Sequence, residues 1–263
     1  MSKLPELMSG RTLEHDFEFS SSGPMSGLID GVQTITAAGT ITLSFDESNT
    51  QLKCSVLSID PGGADRSVLL PAELSDTDGV SQSLKGRKLV IHNSADGYSE
   101  DLTIFESDGS TFVARVGFDS CVEIIFPAHG KPFCTTDVFV GTCEIPVAGS
   151  ATAIADAIGA DYTIIPEKVY ISNPDASTVL TSRAYTLDQG TTAVAVSQAE
   201  ALGTLDTFTL FVGDDGDGTL STHQIPPNVA FTIEAGGSLG SGSEVARCRM
   251  FYRVIKNNQN RMS

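Results

Sequence analysis

Basic residues are scarce in this 263-residue chain, tryptophan is absent, and no long apolar run occurs. Sixteen Lys and Arg stand against 33 Asp and Glu, a formal net charge of −17. A field of that sign repels a polyphosphate, so no nucleic-acid partner is expected. Nowhere are there the ~18 uncharged apolar residues that a membrane-spanning helix needs. Met1 to Ser22 carries Glu6, Glu14, Asp16 and Glu18 where a leader would have its apolar core. No membrane partner is expected, and assembly is expected in a cytosol. With aromatics at only 7%, a sugar-binding cleft built on stacked rings has few residues to draw on. The five cysteines, Cys54, Cys121, Cys134, Cys143 and Cys248, form no CxxC pair. In a reducing compartment they read as small buried hydrophobes, with no structural metal assigned.

Catalytic signatures are equally thin. Walker A and dinucleotide fingerprints are missing, and His15, His92, His129 and His223 are singletons without metal-ligand spacing. Gly236-Gly-Ser238-Leu-Gly240 has the letters of a hydrolase nucleophile elbow. That elbow needs a strand, a strained turn, a helix and a later histidine. Here Ser241-Gly242-Ser243 and another β-type run follow, and all four histidines precede. A hairpin loop is the reading. Asp214-Asp215-Gly216-Asp217-Gly218-Thr219 begins like a calcium loop, where several carboxylate oxygens crowd one turn. An EF-hand frame from Asp215, however, puts Leu220 at the glycine position and Pro226 at the bidentate glutamate. A solvated acidic turn is expected. No catalytic residue, cofactor or metal ligand is assigned, and the chain is not expected to be an enzyme.

Short apolar alternations do recur, about every ten residues, bounded by turn-formers. Ile41, Leu43 and Phe45 alternate with Thr40, Thr42 and Ser44. Lys88 to His92, Leu102 to Phe105, Phe112 to Val116 and Val122 to Phe126 are further β-rich runs. Gly149 to Gly159, rich in alanine and ending in glycine, predicts one or two helical turns and a domain boundary. A second β series follows from Tyr162 to Lys256. The fold expected is all-β: two β-sandwich or jelly-roll-like domains, at 29–147 and 148–263, behind an extended arm, 1–28, too poor in large apolar groups to form a core.

Charge is segregated near the end of the chain. Ala184 to Ala246 holds eight acids and no base, whereas Val245 to Ser263 holds Arg247, Arg249, Arg253, Lys256 and Arg261 and no acid. In the last strand Ala246, Cys248, Met250, Tyr252 and Val254 share one face, and Arg247, Arg249 and Arg253 share the other with Phe251 and Ile255 between them. Two readings stay open. The strand is an edge whose arginines meet acids of their own domain, or Arg247, Arg249, Phe251, Arg253 and Ile255 form a subunit interface, where Arg is favoured.

Within Val32 to Phe133, the runs Ile35-Thr-Ala-Ala-Gly-Thr-Ile-Thr-Leu-Ser-Phe45, Val68-Leu-Leu-Pro-Ala72, Gly86 ahead of Leu89-Val-Ile-His-Asn93, and Leu102-Thr-Ile-Phe-Glu-Ser-Asp-Gly109 stand in order. This resembles the β-modules of bacteriophage and other virion proteins, in head-decoration and fibre-like chains. It departs from them by inserting Glu73 to Lys85. The second half looks like virion jelly-roll domains, through Tyr162 to Pro174 and the Ile225-Pro-Pro-Asn228 turn. The resemblance implies a capsid decoration or cement protein on the virion surface, assembled in the host cytoplasm, with the major capsid protein and copies of itself, as a homotrimer, for partners. A receptor- or glycan-binding fibre or tail module is the alternative it leaves, with an unrecognised hydrolase centred on Ser238 behind that.

Overall fold

The computed structural model describes residues 29–44, 49–72, 86–127, 131–146, 150–177, 179–190, 192–197, 200–210, 228–236 and 245–256. These form twenty strands, and among the described residues there is no helix. The expected arm, the Ser238 loop, the Asp214–Asp217 turn, His15, His129, His223 and Arg261 lie outside them.

The first ten strands make two sheets. One has the order β1 (Ile29–Thr36), β4 (Cys54–Asp60), β6 (Arg87–Asn93), β9 (Cys121–Phe126), β10 (Phe133–Cys134). The other has the order β3 (Thr50–Gln51), β2 (Ile41–Ser44), β5 (Arg66–Leu69), β7 (Leu102–Phe105), β8 (Phe112–Val116). The chain steps from one sheet to the other, so β1, β4 and β6 stack parallel, as do β3, β2, β5 and β7. β8 and β9 then return antiparallel and close the stack. Val32, Val56 and Val90 are in register in one sheet, and Ile41, Val68 and Ile104 in the other. This is a parallel β-roll, where a β-sandwich or jelly-roll-like domain is expected from the sequence. Every strand has one inner and one outer face in either architecture, so the side-chain alternation is the same. The resemblance residues fall at the turns of the roll: Pro71 and Ala72 follow β5, Gly86 precedes β6, and Asn93 ends it. The buried Asn93 amide donates to the carbonyls of Glu100 (2.7 Å) and Val116 (3.1 Å), while its oxygen accepts from Ala95 N–H (3.0 Å). It thereby satisfies the turn that follows.

The remaining strands are antiparallel. One sheet has the order β11 (Val138–Ile145), β20 (Ala246–Lys256), β13 (Tyr162–Ser172), β18 (Thr207–Leu210). The second has the order β12 (Thr152–Ala155), β19 (Phe231–Ala235), β15 (Tyr185–Gln189), β16 (Thr192–Val196). A short ribbon pairs β14 (Leu180–Arg183) with β17 (Glu200–Leu202). β11 thus bonds into a sheet of the C-terminal half although it precedes residue 148. The expected helical turns at 149–159 are instead β12, paired with β19 through Thr152 and Ile233. Pairing and burial of Ile154 and Ala155 override alanine's helix propensity. Nor is the last strand an edge: β20 lies between β11 and β13 and bonds to both along nearly its whole length.

Buried side chains of the roll and of the antiparallel sheets belong to one continuous cluster. The backbones approach closely where glycine allows it. A Cβ on Gly117 would stand 2.9 Å from the Val140 carbonyl oxygen, and one on Gly141 would stand 2.1 Å from that of Ile154.

Candidate functional site

The five residues of the last strand do lie on one outward face, as alternation requires, and the charges of Arg247 and Arg253 are met within the chain. Arg247 Nη2 lies 3.2 Å from Glu144 on β11, and its guanidinium sits 4.8 Å from the Tyr98 ring centre. Arg253 pairs with Glu167. Glu167 occupies a bulge in β13, between Pro166 opposite Tyr252 and Lys168 opposite Phe251, and the extra residue turns its carboxylate towards the arginine. Arg249 lies beside Tyr98, whose hydroxyl pKa is pushed up by burial and pulled back by that guanidinium. Phe251 packs edge-on against Tyr170 at 5.9 Å, and Ile255 is exposed. Both acid partners come from elements upstream of the acid-rich segment 184–246. Neither Arg247 nor Arg253 needs a second subunit to be neutralised.

Charge segregation along the chain gave no sign of the most deeply buried ionic cluster among the described residues, which lies between the two halves. Arg115, on β8, is 2% exposed; its Nε donates to Asp101 Oδ2 (3.1 Å) and its Nη2 to Asp65 Oδ2 (3.2 Å). Asp101 also accepts from the Thr142 hydroxyl (2.8 Å) and the Thr142 N–H (3.3 Å) on β11, and its own N–H donates to Asp65 Oδ1 (2.7 Å). The roll is therefore bonded to the edge of β11 through one carboxylate. Burial pushes the Asp101 pKa up to about 6, against the pull of Arg115 and the Thr142 hydrogen bonds. Tyr252, reaching the same region from β20, has its hydroxyl pKa raised by burial. Nearby, Glu144 N–H donates to Ser99 Oγ (2.7 Å) and Phe118 N–H to Thr142 Oγ1 (3.3 Å).

A cavity of about 350 Å³ opens where β8 and β10 meet β11, β13 and β20. Phe112 lines it, with ring centroids 5.3 Å from Phe139 and 5.9 Å from Tyr162, and its N–H donates to the Tyr162 oxygen at 3.1 Å. Phe133, 48% exposed, lines the mouth. Two lysines flank it: Lys131, paired with Glu106 at 2.9 Å, and Lys256, whose Nζ is 5.7 Å from the Tyr162 ring centre. The groove offers aromatic faces beside ammonium and carboxylate groups, which suits a ligand with apolar faces and a polar rim. Overall aromatic content concealed it, because a small total says nothing about clustering in space.

Other expected positions scatter. His92 lies with its Nε2 3.5 Å from Asp119 and its Nδ1 3.5 Å from the Ser58 hydroxyl. Of the cysteines expected to be buried, Cys143 and Cys248 are, facing each other across β11 and β20. Cys54 and Cys134 are half-buried and Cys121 is exposed. Cys121 begins β9, where alternation turns it outward. Comparison with protein families, with curated proteins and with solved structures finds no match to this chain.

Proposed function

We propose that this chain is a virion structural protein, a capsid decoration or cement protein that attaches to the major capsid protein as a homotrimer. The observation that carries the proposal is the strand connectivity of the C-terminal half. Taking β11, β12, β13, β15, β16, β18, β19 and β20 as one to eight, the sheets run 1-8-3-6 and 2-7-4-5. That order supports a jelly-roll reading, an architecture used by viral capsid and lectin domains. The resemblance of 32–133 to virion β-modules supports the same reading. So does the outer edge of β1, which among the described residues pairs only with β4 and exposes Val32 at 63%. An unpaired parallel edge is a template for a neighbouring chain. Cementing is mechanical: bridging shell subunits buries further surface and stabilises the assembled state by mass action. Quantitative mass spectrometry of purified particles is the direct test. A fixed copy ratio to the shell protein, with lower heat resistance in particles stripped of this chain, is expected; absence from the particles defeats the proposal. Light scattering of the free protein should give three times the 27.6 kDa chain mass.

A second reading, a glycan-binding fibre or tail module, is favoured by the aromatic groove around Phe112. A glycan array read with the parent protein and with Phe133→Ala separates the two. A sugar signal lost in the variant supports the groove as a receptor site. The proposal gives Ser238 no catalytic role, and hydrolysis abolished by Ser238→Ala would overturn that judgement.

A further inference from the structure

Asp60 ends β4, and Asp96 and Glu100 lie in the turn after β6. Because β4 and β6 are parallel, with Ile59 opposite Asn93, the chain leaves both strands at the same end of the roll. One carboxylate oxygen from each of the three acids lies within 4.8 Å of the other two. The observation that separates this group from an ordinary acidic cluster is Glu100 itself. It is only 8% exposed, and its Oε2 is buried with no hydrogen-bond partner. Its place is built into the turn. A Cβ on Gly97 would stand 2.1 Å from Glu100 Oε1, so glycine alone leaves room for the carboxylate to fold back there, and the Glu100 carbonyl is held by the Asn93 amide. A buried carboxylate oxygen without a donor has lost its hydration and gained nothing. Asp60 and Asp96 add repulsion, and among the described residues no Lys, Arg or His pairs with any of the three.

We propose that Asp60, Asp96 and Glu100 bind a calcium ion. The donors are all carboxylate oxygens, with no imidazole or thiolate, which selects a hard cation. The three oxygens lie within 4.8 Å of one another, close enough to share one ion. A carboxylate set on a strand end and an irregular turn suits calcium, which accepts six to eight oxygens in flexible geometry at about 2.4 Å, better than magnesium, which demands near-ideal octahedral geometry at about 2.1 Å. The ion would fix the turn that presents Tyr98 to Arg247 and Ser99 to Glu144, and thus stiffen the contact between the roll and the antiparallel sheets. The site is separate from the groove and does not depend on the virion reading.

Calorimetry and thermal melts of the full chain, stripped with chelator and then given calcium or magnesium chloride, test the proposal. Calcium at a hundredfold excess over its dissociation constant should raise the melting temperature by about 5 °C or more, with a smaller response to magnesium. Glu100→Gln keeps the side-chain volume and removes the charge. It should melt no lower than the parent in chelator, yet bind calcium about tenfold more weakly or worse, since affinity follows ligand charge. Asp96→Asn should also weaken binding, while Asp215→Asn, in the other acidic stretch, should leave it intact. A parent protein with no response to millimolar calcium, or a response that survives both Glu100→Gln and Asp96→Asn, overturns the proposal.

Discussion

Asp101 offers the most direct test of how the roll and the antiparallel sheets are joined. Its carboxylate is 1% exposed and accepts hydrogen bonds from Arg115 and Thr142, on opposite sides of the junction. Burial raises its pKa from the ordinary 3.8 to about 6. The folded chain therefore holds this proton more tightly than the unfolded chain does. The resulting stabilisation is complete below about pH 4 and is lost as the pH rises through about 6. At 1.36 kcal/mol per unit, the shift corresponds to about 3 kcal/mol. Asp101→Asn keeps the shape and cannot ionise, so it isolates this proton from the other carboxylates of an acidic protein. Urea denaturation of parent and variant from pH 4 to pH 8 should show the parent's relative stability falling by about 3 kcal/mol across that range, with no further change above about pH 7. A difference independent of pH would mean that the Arg115 ion pair balances burial, and a parent that gains on the variant as pH rises would mean that it outweighs burial; either would refute the reasoning. Arg115→Met sharpens the test. It strands a buried carboxylate at neutral pH, at a cost of about 3 to 5 kcal/mol, and should cost less near pH 5, where Asp101 carries a proton.

Thiol labelling under native conditions should be fastest at the exposed Cys121 and absent at Cys143 and Cys248 until the protein unfolds. Both are buried, and burial holds the Cys248 thiol pKa well above its usual value; mass spectrometry after a timed quench reads the order. Arg253→Ala removes one surface ion pair with Glu167 and should lower stability by about 0 to 1 kcal/mol in urea titrations, with unchanged oligomer mass by light scattering. A fall in oligomer mass without loss of stability would restore the subunit reading of that arginine. Gly141→Ala forces a methyl against the Ile154 carbonyl and should cost about 1 to 3 kcal/mol, far more than alanine's helix or strand preference would suggest.

Much of the strand inventory was legible because each buried strand carries its own two-residue alternation. Ile41 and Leu43, Leu57 and Ile59, Leu89 and Ile91, and Phe231, Ile233 and Ala235 all place apolar groups inward without reference to anything distant. The outward alternation of Arg247, Arg249 and Arg253 was equally readable, and it is correct. Their partners were not readable. Glu144 is brought into place by antiparallel register and Glu167 by a bulge, both set by tertiary pairing. Asp101, Arg115 and Thr142 carried no local signal at all, since nothing in 101–142 distinguishes an acid that will be buried against an arginine from the exposed acids around it. Glu100 stands beside Asp101 as one of three adjacent acid pairs in the sequence, and only the backbone of Gly97 reveals that its carboxylate turns inward.

The direction of the first-half strands is illegible in the sequence for a different reason. Period-two alternation records that a strand has one buried face, and it is silent on whether the neighbour runs with it or against it. A parallel sheet in an α/β protein is covered on both faces and reads as a continuous apolar run. In this roll each sheet covers the other on one side only, so its parallel strands carry the pattern of a half-buried antiparallel sheet. The signal that does distinguish them is vertical. Residues stacked in successive coils, such as Ile41 above Val68 and Val68 above Ile104, recur as a ladder of equivalent positions. The segment 73–85 falls between the second and third rungs and stretches that spacing, which hides the ladder from any search for a fixed period. Parallel stacking also explains the location of the three carboxylates. Only strands that run the same way leave a sheet at the same end, so only a roll sets Asp60 beside the turn carrying Asp96 and Glu100; an antiparallel β4–β6 pair would have placed them at opposite ends.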